Sequence, residues 1–122
     1  VIFLEKESAK WWYLAGLIAA DGCLIRTRRA VVLVAKDREF LAMLRRRCSI
    51  TNLVRPHPNG RGQVSHRICI TDRAYWSELA EIGLTPAKSK TIGALAVPKA
   101  MFIPFLRGVI DGDGSIRRGG IR

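Results

Sequence analysis

Three things are scarce in this sequence of 122 residues, and each scarcity closes off a class of protein. Long apolar runs come first. The longest, residues 11–20, is ten residues, about half the ~20 that a bilayer-spanning helix requires, so no membrane span is expected. A secretory leader is not expected either, because that run starts late and Glu5 and Glu7 dilute the positive flank before it. Cysteine is the second scarcity. Cys23, Cys48 and Cys69 are odd in number and widely spaced, which argues against a disulfide framework and for an intracellular setting, cytoplasm, nucleoid or organelle. Acidic residues are the third. There are 10 against 21 Lys and Arg, giving a formal net charge of +11 and a pI near 10.6. Such an excess calls for a polyanionic partner, and without a long apolar run that partner is nucleic acid rather than a membrane.

What is present is enough for a folded domain: 48% of the residues are hydrophobic. Residues 8–21 read as a helix capped by Ser8 and stopped by Gly22. Residues 23–27 and 30–36 read as strands joined at Arg28 and Arg29, a hairpin without a strong turn residue. Asp37 can cap a second helix whose apolar stripe is Phe40, Leu41 and Leu44. Residues 50–57 and 63–71 form another hairpin, with strong turn chemistry in Pro58-Asn59-Gly60-Arg61-Gly62. Asp72 can cap a third helix through Ile82, with Gly83 as its stop. A linker over 84–98 precedes a fourth helix from about Lys99 to Gly112, with Pro104 in its first turn. The order is α-β-β-α-β-β-α, followed by one more helix.

One internal echo stands out. Leu14-Ala15-Gly16-Leu17-Ile18-Ala19-Ala20-Asp21-Gly22 is answered 92 residues later (113 − 21) by Leu106-Arg107-Gly108-Val109-Ile110-Asp111-Gly112-Asp113-Gly114. Small residues at 15, 16, 19, 20, 108 and 112 would let two helices approach more closely than the roughly 8–10 Å between ordinary helix axes. Each helix would then end in Asp and Gly, bringing Asp21 near Asp113. Two carboxylates that close are unfavourable unless a cation lies between them. Mg²⁺ suits such a site because it takes carboxylate oxygens, keeps waters and binds phosphate.

The two nonapeptides resemble the motif of the LAGLIDADG homing endonucleases. The first matches at every position but one, with Ala19 where the family usually has Asp, and the second keeps Leu106, Gly108, Ile110, Asp111, Asp113 and Gly114. Gly83-Leu84-Thr85-Pro86-Ala87-Lys88-Ser89-Lys90-Thr91 is similar to the segment that members place before their second motif. The resemblance implies an α+β fold: an αββαββα unit with a curved four-stranded antiparallel sheet over residues 1–98, and the first helix of a second unit over 99–122. It implies a site-specific double-stranded DNA endonuclease that hydrolyses phosphodiesters with Mg²⁺ or another divalent cation, and an origin in intron or intein mobility. It assigns metal binding to Asp21 and Asp113 with the carbonyls of Ala20 and Gly112, a structural role to Asp111, and a catalytic basic group to Lys88, with Lys36 a weaker candidate. It also leaves open a non-cleaving DNA- or RNA-binding module of the maturase or transcription-regulator kind. Members with two motifs carry a full unit after each. Here a second set of strands is not in view, which fits either a piece of a longer chain or a homodimer formed by exchanging the terminal helix.

Strand alternation supplies the expected DNA surface. Period 2 places Leu24, Arg26 and Arg28 on one face and Cys23, Ile25 and Thr27 on the other. Gln63, Ser65 and Arg67 alternate with Val64, His66, Ile68 and Ile70, and Arg55 and His57 oppose Val54. Arg and Gln are the usual readers of guanine and adenine from a ribbon in the major groove. The expected DNA-contacting set is Arg26, Arg28, Lys36, Arg55, Gln63, Ser65 and Arg67. Arg45, Arg46 and Arg47 suit either a helix end or backbone phosphates.

Plainer explanations compete with several of these. Small residues on one helix usually mean ordinary tight packing; the second copy turns the balance here. Asp111-Gly112-Asp113-Gly114 is no EF-hand, because Ile116 and Arg122 stand where that loop needs Gly and Glu. His57, His66, Cys48 and Cys69 lack zinc-finger spacing, and alternation puts His66 and Cys69 on opposite faces. Trp11, Trp12 and Trp76 are expected in packing rather than in base stacking.

Overall fold

The structure, a computed structural model, describes residues 8–25, 27–58, 64–84 and 95–116, without the side chains of Asp21 and of residues 113–116. Helix α1 (Ala9–Asp21) begins at Ser8, whose hydroxyl accepts the Trp11 amide at 3.1 Å, satisfying one of the four donors that a helix start leaves unpaired. It ends with the Gly22 amide donating to the Ile18 carbonyl at 2.8 Å. Gly22 has extended backbone (φ −82°) that any residue can adopt. Glycine is needed there for space, since a Cβ would lie 2.8 Å from the Ile18 Cα.

Strands β1 (Cys23–Ile25) and β2 (Ala30–Ala35) pair antiparallel. Their turn holds Arg29 at φ 47°, a left-handed conformation that costs a non-glycine residue roughly 1–2 kcal/mol. The Arg29 guanidinium lies 5.9 Å from the Trp76 ring centroid, a cation–π contact that offsets about 0.5–1 kcal/mol of that cost. Helix α2 (Arg38–Arg47) is capped by Asp37, whose carboxylate accepts the Glu39 amide at 2.9 Å, and it buries Leu41 and Leu44. Beyond it Ser49 takes φ 55°, and the Ile50 amide donates back to the Arg45 carbonyl at 3.0 Å.

Strand β3 (Val54–Pro58) is shorter than its expected 50–57 at the start, and β4 (Val64–Ile70) follows. The Asp72 carboxylate caps helix α3 (Arg73–Glu81) by accepting the Tyr75 amide at 2.9 Å. Gly83, at φ 111°, closes α3: its amide donates to Ala80, and the Leu84 amide donates to the Leu79 carbonyl at 3.0 Å. Only glycine holds such a φ without strain. The chain is pinned to the same place again by the Ala96 amide, 2.9 Å from the Ile82 carbonyl.

A 3-10 turn (Lys99–Met101) leads into α4 (Phe102–Ile116), with Pro104 in its first turn as expected. The sequence placed the end of this helix at Gly112; the helix instead runs on to Ile116. Packing outweighs the poor helix propensity of Gly112 and Gly114, because Gly112 lies so close to α1 that a Cβ on it would be 3.2 Å from the Leu17 carbonyl oxygen.

The four strands make one antiparallel sheet in the order β1-β2-β4-β3. This is the α+β arrangement that the sequence implied, with helices on one face only. Leu24, Val31, Leu33, Ala35, Ile68 and Ile70 point into the core against α1, α2 and α3, where Trp11, Leu14, Ile18, Leu41, Leu44, Leu79 and Leu84 are buried. Trp11 also donates its indole N–H to Glu78 at 3.1 Å and meets Tyr75 edge-on, and Trp12 meets Phe105 edge-on. The first two tryptophans are thus packing residues.

Candidate nucleic-acid interface and helix-pair site

The sequence echo becomes a reciprocal contact. A Cβ on Gly16 would collide with the Phe105 carbonyl oxygen at 2.1 Å and approach the Val109 amide at 2.9 Å. A Cβ on Gly108 would collide with the Tyr13 carbonyl oxygen at 2.1 Å and approach the Leu17 amide at 3.0 Å. Adding the 92-residue offset turns 13, 16 and 17 into 105, 108 and 109, so each helix meets the other through equivalent residues. Backbone rests on backbone, and an approximate twofold axis runs between α1 and α4. One turn further on, Ala20 and Gly112 are equivalent and in contact: the Ala20 Cβ would be 3.3 Å from a Cβ on Gly112. Asp21 and Asp113 follow these two residues directly, on α1 and α4; their side chains lie outside the description.

Asp111 is held by the protein itself. The Tyr13 hydroxyl donates to its carboxylate at 2.7 Å, the structural role that the resemblance implied. Burial, and then that bond, push the Tyr13 phenol well above its ordinary pKa. The equivalents of Tyr13 and Asp111 are Phe105 and Ala19, so the polar pair on one side of the axis has an apolar pair on the other.

The equivalence fails on the outer faces. Trp11, Leu14 and Ile18 are 0% exposed beneath the sheet, whereas their equivalents on α4, Ile103, Leu106 and Ile110, are 63%, 38% and 60% exposed. Nothing among the described residues covers that stripe.

The second feature is the sheet face without helices. The ladder sets Arg55 of β3 directly opposite Arg67 of β4 and His57 opposite Ser65. The Arg67 guanidinium reaches within 3.4 Å of the His57 ring Nδ1. A groove of ≈ 620 Å³ runs over this face, lined by Arg28, Arg55, Arg67, His57, Val32 and Cys69 together with Thr51, Asn52, Leu53 and Thr71. Two guanidiniums facing each other across a ladder are unfavourable in isolation, and an anion seated over both removes that penalty.

Of the expected DNA-contacting residues, Arg28, Arg55 and Arg67 line the groove, and Ser65 shares their face without lining it. Lys36 is exposed just beyond β2 and outside the groove. Arg26, Gln63 and Lys88 lie outside the described residues. The expected grouping of Leu24 with Arg28 is corrected. Leu24 pairs with Val31 and is buried, so Cys23 and not Leu24 belongs to the open face. Strict alternation does not carry past Ile25, because residues 27–29 turn and Arg29 is left-handed.

Thr51, Asn52 and Thr71 were not singled out from the sequence, which placed them inside strands over 50–57 and 63–71; they lie instead just outside β3 and β4 and reach the groove from loops. Asn52 joins them: its amide donates to the Thr71 hydroxyl at 3.0 Å and its carbonyl oxygen accepts the Thr71 amide at 3.3 Å. Arg45 braces the same corner by donating to the backbone oxygens of Asn52 and Thr51 at 2.7 and 3.3 Å. One member of the Arg45, Arg46 and Arg47 run therefore serves the fold.

Among the described residues, no group of three His, Cys, Asp or Glu side chains could hold a metal ion, and no helix is long and apolar enough to cross a membrane. No curated protein sequence matches this chain. A family model described as a LAGLIDADG-like domain matches residues 8–83, which takes in the first nonapeptide, all four strands and α3, and stops before the second nonapeptide. With well over half of its length matched over the elements that build the sheet and its first helix, the chain belongs to the LAGLIDADG-like family, which includes homing endonucleases and maturases.

Proposed function

We propose that this chain is a site-specific endonuclease for double-stranded DNA, with the open sheet face gripping the duplex and the ends of α1 and α4 forming the cleavage centre. The observation that carries the reading is the reciprocal glycine contact, since it leaves Ala20 touching Gly112 immediately before two acids at equivalent positions. A helix pair spaced by ordinary side chains would keep those acids apart.

The donor chemistry fits a hard divalent cation. Asp21 and Asp113 would supply carboxylate oxygens, with backbone carbonyls of Ala20 and Gly112 beside them, an all-oxygen set of the kind that Mg²⁺ takes. When bound, such an ion lowers the pKa of a coordinated water and stabilises charge on the leaving oxygen. The protein's own part is to hold two acids at one point by rigid packing and to hold the duplex over the open sheet face, where Arg55 and Arg67 line the groove. Lys88, with Lys36 as the weaker candidate, is the basic group proposed near the scissile phosphate.

Residues 1–98 form the first unit in this reading and 99–122 open a second. Support comes from the exposed stripe on α4, whose equivalents on α1 are all buried beneath a sheet. A second reading, binding of DNA or RNA without cleavage, is favoured by the arginine-lined groove, which can hold a nucleic acid whether or not a phosphodiester is cut.

Duplex cleavage with Mg²⁺ tests the proposal. Asp113→Asn is expected to abolish detectable nicking while leaving DNA retardation on gels unchanged. Retardation without cleavage by the parent supports the second reading, and an Asp113→Asn variant as active as the parent sinks the cleavage centre.

A further inference from the structure

The open face is not uniformly cationic. Strand register puts Cys23, Val32 and Cys69 side by side across β1, β2 and β4. Cys23 is exposed, and Val32 and Cys69 line the groove beside Arg67. The next row along the strands is Val34, Arg67 and Arg55. A cysteine thiol behaves as a small hydrophobe, so the first row offers three short apolar side chains and no strong donor. The second offers two guanidiniums.

A disulfide does not explain the row. Cys23 and Cys69 are separated by Val32, two strand spacings or roughly 9.6 Å, beyond the ~7 Å that a disulfide can bridge. Core packing does not explain it either, because the row faces away from the helices.

In the major groove the one apolar group that projects from a base pair is the thymine 5-methyl; apart from the small C5–H of cytosine, the other positions are donors or acceptors. A polar edge pressed against this row would lose its water without gaining a partner. We infer that the Cys23–Val32–Cys69 row reads thymine methyl groups, and that Arg67 and Arg55 read guanine in the neighbouring row. Residues i and i+2 on a strand are about 6.7 Å apart, close to two base-pair steps of ~3.4 Å. The preferred site therefore sets a thymine-bearing pair about two steps from a guanine. The inference rests on the open face being the DNA surface, as proposed above.

The test compares an alternating adenine–thymine duplex with its deoxyuridine counterpart, which differs by the methyl groups alone, by fluorescence anisotropy at fixed salt. Binding is expected to weaken about fourfold for each contacted methyl removed. Val32→Thr combined with Cys23→Ser and Cys69→Ser is expected to shrink that difference. In parallel, a saturating thymine duplex is expected to slow iodoacetamide alkylation of Cys23 and Cys69. Cys48, buried and with its thiol pushed up to about 11 by that burial, stays unreactive throughout. Equal affinity for the two duplexes, or alkylation undiminished by bound DNA, overturns the methyl readout and leaves DNA binding intact. Failure to bind any duplex overturns the DNA-surface reading and the inference with it.

Discussion

Helices α1 and α4 carry the same nonapeptide pattern and meet each other through equivalent atoms, yet they live in different surroundings. The inner faces are alike: Gly16 and Gly108 each accept the backbone of the partner helix. The outer faces are not: α1 buries Trp11, Leu14 and Ile18 beneath the sheet, and α4 leaves Ile103 and Ile110 largely in solvent and Leu106 partly so. Two separate demands are therefore written on one helix pattern. Small residues at one spacing specify the helix pair, and apolar residues at another specify a sheet. In α4 the first demand is met, and among the described residues no sheet answers the second.

The largest effect is expected on the shared face. Gly16→Ala or Gly108→Ala places a methyl group into a backbone carbonyl that has no rotamer to yield. Either is expected to cost about 3 kcal/mol or more in chemical denaturation, at or beyond the top of the usual overpacking range. The double variant should cost much less than the sum, since one forced separation also makes room for the other. Additive losses would mean that the two glycines do not share a contact.

The outer faces separate next. Leu14→Ala is expected to cost about 2–5 kcal/mol, as for a buried leucine. Leu106→Ala, its equivalent, is expected to stay within about 0.5 kcal/mol. Equal losses in the two variants would show that the α4 stripe is covered in solution and would break the contrast drawn above.

The smallest effect tests the axis itself. Asp111→Ala removes the acceptor from Tyr13 and is expected to cost about 1 kcal/mol. Adding Tyr13→Phe reproduces the Phe105 and Ala19 pair found across the axis and is expected to recover part of that loss in a double-mutant cycle. A strictly additive cycle would leave the Tyr13–Asp111 bond with no energetic coupling.

Much of this was legible before any coordinates. Ser8, Asp37 and Asp72 marked helix starts because each places a side-chain oxygen where unpaired amides need one. Gly83 marked an end because its φ is one that only glycine holds easily. The helix pair was legible from its glycines, whose spacing is a local property of the chain. What escaped depended on tertiary detail. The α2 terminus uses Ser49 at φ 55°, a position where composition gives no signal. The groove's Thr51, Asn52 and Thr71 come from loops brought together by hydrogen bonds between residues 19 apart. Leu24 was grouped with Arg28 because alternation was carried through residues 27–29, where the chain turns and the pleat ends.

The facing Arg55 and Arg67 carry one more consequence. Before a ligand arrives, that corner of the ladder is under electrostatic tension, adding to a net charge of +11 spread over a small body. Mobile ions screen the longer-range part of that repulsion, beyond about 10 Å at moderate ionic strength, and they also compete with a polyanion for the positive surface. Added salt thus acts on this protein with opposite signs: the free chain becomes harder to unfold, while its hold on a polyanion loosens.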